Sequence, residues 1–335
     1  MQVLIAPLQG YTTGIYRKVH AEIFGGVDAY YAPFLRIENG HPREKDLRDL
    51  DGAIDCKLDG GFDSIGGNCN SVARAKTVPQ IIANSAGEFK VLADAILQKG
   101  FTEIDFNMGC PFPMQVSRHR GAGLLNDTRT VQEIMDEIAR LSTAGTARFS
   151  VKMRLGQDSP DEAFALLPIL NDAPLTQITL HPRLGRQQYK GALDIPSFEK
   201  FYNECRHPLV YNGDITSVSQ MHKIELGYPK LAGIMIGRGL LAHPSLAAEY
   251  KTATDANAVS ENELLSKILK MHGKLYEHAR STYQGDSQIL SHIRSFWDYL
   301  EPSLPKKIFK KIQKAGKLNE YNAAIQSLNM EQADG

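Results

Sequence analysis

A (β/α)8 TIM barrel followed by a smaller C-terminal helical domain is the fold class that the sequence predicts, and three observations predict it. Eight short apolar runs recur along the chain, at 3–7, 29–34, 78–83, 104–107, 149–153, 178–181, 209–212 and 233–236, and the segments between them contain periodic apolar residues of helical type. Several runs show no in/out alternation and look buried on both faces, as parallel strands are. No Gly-x-Gly-x-x-Gly follows the first run, so an open doubly wound sheet fits less well.

Taken in order, the first run leads into Ala6-Pro7-Leu8, the second into Ala32-Pro33-Phe34-Leu35, and the third carries Gln80. Between Arg43 and Lys76 a Gly- and Asp-rich stretch, 59–67, makes the connection longer than a barrel needs, which predicts a surface excursion with Cys56 and Cys69 as incidental thiols. The fourth run enters Asn107-Met108-Gly109-Cys110-Pro111; the helix after it shows a face of Ile134, Ile138 and Leu141. The fifth ends in Lys152-Met153-Arg154 and the sixth in His181 with Arg183, then Tyr189 and Gly191. The last two end in glycine turns, Asn212-Gly213-Asp214 and Gly237-Arg238-Gly239.

With 335 residues the chain exceeds a minimal barrel by about a third, so a barrel over 1–250 and a helical domain over 256–330 are expected. Leu264, Leu265, Ile268, Leu269, Met271 and Leu275 keep helical spacing, and a second helical pattern covers 287–300. No run approaches the roughly 18 apolar residues of a membrane span, and the N-terminus moves straight into a strand; a cytoplasmic monomer is expected. The four cysteines lack Cys-x-x-Cys spacing and form no zinc-type cluster with the histidines, so no metal is expected. Basic and acidic residues balance at 38 each, so any contact with nucleic acid must be local. Lys306, Lys307, Lys310, Lys311, Lys314 and Lys317 are one such cluster, alternating with Ile308, Phe309 and Ile312; a solvated helix face is the other reading.

Barrel enzymes keep their chemistry at the C-terminal ends of the strands, and here six of eight ends carry polar side chains. A thiol such as Cys110, with a reference pKa of ~8.5, is mostly protonated at neutral pH and can donate a proton as well as attack. It can also be a small buried hydrophobe at a turn. Glycine turns after strands seven and eight suit a phosphate bound by backbone N–H groups, with Arg238 as a bidentate charge. Lys152, pointing in from across the barrel, suits an anionic ring atom. A phosphate joined to a polar-edged planar ring is the outline of flavin mononucleotide (FMN).

Together these segments resemble the tRNA-dihydrouridine synthases, FMN enzymes that reduce uridine in RNA. The similarity rests on Ala6-Pro7-Leu8, Gln80, the stretch 107–111, the stretch 151–156, His181-Pro182-Arg183 with Tyr189-Lys190-Gly191, Asn212-Gly213-Asp214 and 236–239, running from residue 4 to about 240. The resemblance implies that NADPH reduces FMN, that a hydride passes to carbon six of a uracil ring in tRNA, and that Cys110 protonates carbon five. It further implies flavin contacts from Ala6, Pro7, Leu8, Gln80, Lys152, His181, Asn212, Gly213, Asp214, Gly237 and Arg238. Asn107 and Arg183 belong on the substrate side, and a mobile loop between Gly109 and Gly123 carries the cysteine. The tail resembles the family's RNA-binding domain, with the stretch 291–297 matching a basic-aromatic segment and Arg294 joining Lys306, Lys307, Lys310 and Lys311 as RNA contacts. Leu8 stands where the family usually has Met, and Ala32-Pro33-Phe34-Leu35 lacks the Thr-Glu or Ser-Glu often found there. Two rivals remain: an FMN barrel that reduces a free small molecule, and an inactive RNA-binding relative.

Overall fold

The computed structural model describes residues 1–51, 76–252 and 260–333. The excursion at 59–67, Cys56, Cys69 and the domain boundary near 256 lie outside the described residues. Nine parallel strand segments form one sheet among them. They are β1 (Gln2–Ile5), β2 (Ala29–Tyr31), β3 (Lys76–Val78 and Gln80–Ile81), β4 (Glu103–Met108), β5 (Arg148–Gly156), β6 (Leu175–Leu184), β7 (Leu209–Tyr211) and β8 (Leu231–Ile236). The two halves of β3 are the sheet's two ends, separated only by Pro79, which has no N–H to give to a ladder. The first half pairs with β2 and the second with β4, so the strand crosses the seam and the sheet closes as an eight-stranded barrel. A hairpin of Ile37–Glu38 with His41–Pro42 follows β2 and is not legible in the apolar pattern.

The strands are buried on both faces as expected, yet their side chains do alternate in kind. Phe149, Val151, Met153 and Leu155 of β5 join the outer core beneath the helices, leaving Ser150, Lys152 and Arg154 for the interior. β4 does the same with Asp105 and Asn107, and β6 with Thr179, His181 and Arg183. The rest of the interior is apolar: Leu4, Ala6, Ala29, Tyr31, Val78, Val210 and Met235 form a separate cluster. Half of the barrel lumen is therefore greasy and half carries chemistry. Both faces of the strands are buried, which is why hydrophobicity alone conceals the period. β5 and β6 also run to Gly156 and Leu184, so Lys152 and His181 lie within strands rather than at their ends.

Short polar caps start the surrounding helices. Thr13, Ser85, Asp127, Asp194 and Ser217 each accept a backbone N–H from the first turn of the helices Gly14–Ile23, Ala86–Gln98, Thr128–Thr143, Ile195–Glu204 and Val218–Gly227. The tail contains Glu261–Thr282, Asp286–Ile293, Lys306–Lys314 and Leu318–Ala333. The pattern over 287–300 is not one helix: it tightens into a 3-10 turn at Arg294–Trp297, where Trp297 is fully buried and donates from its indole to the Tyr321 hydroxyl at 2.8 Å. Tail and barrel share one continuous apolar core. At the barrel's C-terminal end Tyr11 meets Tyr299 with ring centroids 5.2 Å apart, and its hydroxyl donates to Asp298 at 3.1 Å. No described helix is long and apolar enough to cross a membrane.

Candidate active site at the barrel mouth

The polar half of the lumen is organised by one buried carboxylate. Asp105 receives hydrogen bonds from Gln80 Nε2 at 2.6 Å and from the Ser150 hydroxyl at 2.6 Å; Asn107 Nδ2 then donates to Gln80 Oε1 at 2.7 Å. Asn107 Oδ1 in turn accepts the backbone N–H groups of Gly109 at 3.1 Å and Cys110 at 2.9 Å. A relay of four side chains thus links the barrel interior to the backbone that presents the thiol. Burial raises the Asp105 pKa to about 6, its two hydrogen bonds and Lys152 opposing. Asp105 and Ser150 are not among the site residues that the sequence predicts. The signal is there all the same: a lone acid inside an apolar strand must find partners.

Cys110 is half-buried, and burial pushes its pKa up; the Phe112 backbone N–H and then Arg154, Lys152 and Arg36 pull the other way. The thiol is the form favoured at neutral pH. The segment behind it is closely packed at two of its glycines. A Cβ on Gly121 would lie 2.6 Å from the Cys110 carbonyl oxygen, and one on Gly123 would lie 2.6 Å from that of Val116. Gly121 also has φ +60°, so its lack of a side chain is a steric requirement. Arg120 is buried and paired with Glu88, which anchors the segment from below.

Four cations gather around this point. No described residue pairs with the Lys152 ammonium, whose pKa falls to about 8 because of burial first and Arg154 second. Arg154 is buried and donates from Nε to Gly109 O at 2.9 Å and from Nη1 to Leu184 O at 3.0 Å. Arg183 donates from Nη1 to Asp214 Oδ1 at 2.9 Å and closes a second bond from Nη2; it also donates to Gly191 O at 2.8 Å. Arg238 donates to Asp214 Oδ1 at 3.0 Å. Asp214 is thus the counter-ion of two arginines, and Arg183 is a rim salt bridge. His181 is buried, its Nε2 3.4 Å from Arg183 Nη1, and its pKa is held well below the usual histidine value by burial and then by all four cations. It is a neutral imidazole, so the positive charge here belongs to Lys152 and the arginines. Tyr189 is held between Arg154 and Arg238, at 5.4 and 4.7 Å from its ring centroid.

The glycine turns of β7 and β8 come together as the sequence predicts. The backbone N–H groups of Gly213, Gly237, Arg238 and Gly239 have no acceptor among the described residues. A Cβ on Gly239 would collide with Ile215 O at 1.9 Å, whereas one on Gly237 would fill the space beside Ala6 Cβ at 3.4 Å and Leu8 Cδ1 at 3.6 Å. Asn212 Nδ2 donates to Met235 O at 2.7 Å and ties the two turns. Free N–H groups, an open cradle at Gly237 and an unpaired lysine are what a phosphorylated, ring-bearing anion would need. Pro7 continues the same wall from β1.

The tail residues divide. Lys306, Lys307, Lys310, Lys311, Lys314 and Lys317 are exposed, and none of their ammonium groups has a partner among the described residues. Arg294, expected beside them, instead donates from Nε to Leu290 O at 3.3 Å and from Nη1 to Gln313 O and Ala315 O at 3.2 and 3.3 Å, closing the end of the lysine helix. These bonds brace the tail from within, and Trp297 of the stretch 291–297 lies in the core.

Fold and site define a (β/α)8-barrel enzyme with a cationic, anion-ready mouth and a thiol held over it. The family model for dihydrouridine synthases matches residues 4–332, and the chain belongs to that family. It is 26% identical over 310 residues to the tRNA-dihydrouridine(16) synthase of Haemophilus ducreyi, covering 92% of this chain and 88% of that one. The corresponding enzyme of Shigella flexneri is 23% identical over 99% of both chains. Among solved structures, a morphinone reductase variant in complex with tetrahydroNAD superposes with a TM-score of 0.52 at 11% identity, over 78% of this chain and 90% of that one, a likeness of fold.

Proposed function

We propose that the chain is an FMN-dependent tRNA-dihydrouridine synthase fuelled by NADPH. The observation that carries the reading is the hydrogen bond by which Asn107 and its relay hold the Cys110 backbone, on the same mouth as Lys152 and the glycine turns. Gly213, Gly237 and Gly239 would offer N–H groups to the phosphate, Ala6, Pro7 and Leu8 would line the ring, and Lys152 would neutralise its anionic edge, with the neutral His181 able to donate one hydrogen bond. Gln80 and Asn212 fix the walls; Asp214 acts by orienting Arg183 and Arg238. When bound there, FMN would supply hydride chemistry for carbon six of the uracil, with NADPH as the source of its electrons.

Cys110 delivers the proton to carbon five of the ring, a step worth 10²–10⁴-fold, about 3–5 kcal/mol of barrier. Asn107 holds the cysteine backbone where that transfer requires it, and Arg183 steadies the substrate edge. The uridine must be unstacked to reach the mouth, which favours a loop position. The exposed lysines Lys306, Lys307, Lys310 and Lys311 contact phosphates from the tail, and the chain works as a cytoplasmic monomer. The relatives named for position 16 of tRNA make that uridine the first to examine. Purified protein should be yellow, with one FMN per chain, and should oxidise NADPH faster when unmodified tRNA is added. Colourless protein that FMN cannot reconstitute, or NADPH oxidation indifferent to RNA, overturns the reading.

A further inference from the structure

The described residues include five exposed large hydrophobic side chains, and two of them follow the cysteine closely in the chain: Phe112, 58% exposed, two residues after Cys110, and Met114, 55% exposed, four residues after it; Tyr189 is a third, at 46%. Tyr189 already stacks against Arg154 and Arg238. Phe112 and Met114 have no such explanation. Phe112 lies two residues from Cys110, hence within about 7 Å along the chain, and its own backbone N–H faces the sulfur. Both residues lie at the start of the short helix Pro113–Val116, in a segment packed closely at Gly121 and Gly123 and tied down by the Arg120–Glu88 pair. A few residues on, Arg118 is exposed, and no described residue pairs with its side chain.

We propose that Phe112 and Met114 form a stacking platform for the nucleotide next to the reacting uridine in the RNA chain, with Arg118 on its phosphate. The proposal rests on the RNA reading of the mouth. Position chooses the occupant: a protein partner seated on these two side chains would close the mouth above Cys110, so only the substrate can cover them and still be turned over. Chemistry agrees, because an aromatic face beside an unpaired guanidinium offers a base its ring and a phosphate its charge. Pulling one base flat against Phe112 would help hold its neighbour out of the stack and over the thiol, so the platform contributes to selecting a uridine in an open loop.

The test uses the full-length flavin-loaded protein and an unmodified tRNA transcript. Phe112→Ala and Met114→Ala should each raise the RNA Kd and KM at least fivefold, the lower end of what loss of one stacked base produces. The rate at saturating RNA should change far less, and Phe112→Trp should restore affinity. Flavin content and NADPH-driven flavin reduction are measured alongside as folding controls, and a 2-aminopurine next to the target uridine should lose its quenching in Phe112→Ala. Affinity within twofold of the parent in both alanine variants overturns the platform, as does a variant that instead changes the oligomeric state, which would make the face a contact with a second copy. If the parent protein itself does not reduce the transcript, the reading of function fails; if it does and the variants match it, only the platform fails.

Discussion

The barrel mouth and the C-terminal tail are both rich in positive charge, yet they hold it in opposite ways. At the mouth Arg154, Arg183 and Arg238 are tied to carbonyls or to Asp214, and Tyr189 is clamped between two of them. In the tail six lysines stand in solvent without partners among the described residues. Fixed guanidinium groups in a partly buried cleft form a preorganised field, suited to chemistry in which a small displacement is costly. Solvent-facing ammonium groups, five on the helix Lys306–Lys314 and one just beyond it at Lys317, suit a polyanion whose phosphates need only be near. The difference teaches how a formally neutral chain can keep two kinds of positive charge apart, one fixed by partners and one free in solvent; under the function proposed above, the first serves the reaction and the second the RNA.

The comparison can be broken most severely at the mouth. Gly237→Trp should fill the cradle beside Ala6 and Leu8 and yield colourless, inactive protein with a near-parental melting temperature, read by visible absorbance and thermal unfolding. Asp105→Leu comes next. It strands the Gln80 amide and the Ser150 hydroxyl in the interior, at roughly 1–3 kcal/mol for each unsatisfied group. Denaturant unfolding should report that loss, and uridine reduction should fall further than flavin binding because Asn107 no longer anchors Cys110.

A smaller effect is expected in the tail. Neutralising Lys306, Lys307, Lys310 and Lys311 together should weaken RNA binding and leave flavin reduction intact. The slope of log K against log salt should drop by roughly 0.7–0.9 for each phosphate that the tail no longer neutralises. An unchanged slope would make these lysines a solvated face. The mildest test is pH. Burial depresses the pKa of His20 to about 4 and that of His272 to about 3, so the unfolded chain takes up their protons first as the pH falls. Their contribution is complete above pH ~6.5 and is lost towards pH 4, about 3 kcal/mol for His20. Asp105, raised to about 6, acts in the opposite sense, since the folded state then binds its proton more readily, and should offset part of the loss. Unfolding free energies measured from pH 7 to 4 should therefore decline, and in Asp105→Leu they should decline more steeply.

What is legible in the sequence follows from the same physics. The eight runs, the two glycine turns and Cys110 announce themselves because strand burial, phosphate approach and turn geometry each demand particular residue types. The alternation of Phe149, Val151 and Met153 with Ser150, Lys152 and Arg154 is visible but misleading, since both faces of a barrel strand are covered. Asp105 escapes because its partners Gln80 and Ser150 lie on other strands, 25 and 45 residues away. Arg294 misleads for a related reason. A basic residue beside a tryptophan resembles a nucleic-acid contact until the fold shows three carbonyl oxygens around its guanidinium.

The most direct test of the central claim separates the two half-reactions of Cys110→Ala. Reduction of bound flavin by NADPH, followed anaerobically at the flavin absorbance, should proceed at the parental rate. Single-turnover reduction of an unmodified tRNA transcript should fall by 10²–10⁴-fold, the range of a missing general acid. Transcript reduction within about threefold of the parental rate would show that carbon five receives its proton from elsewhere, and would contradict the role of the Cys110 thiol as the acid at the barrel mouth.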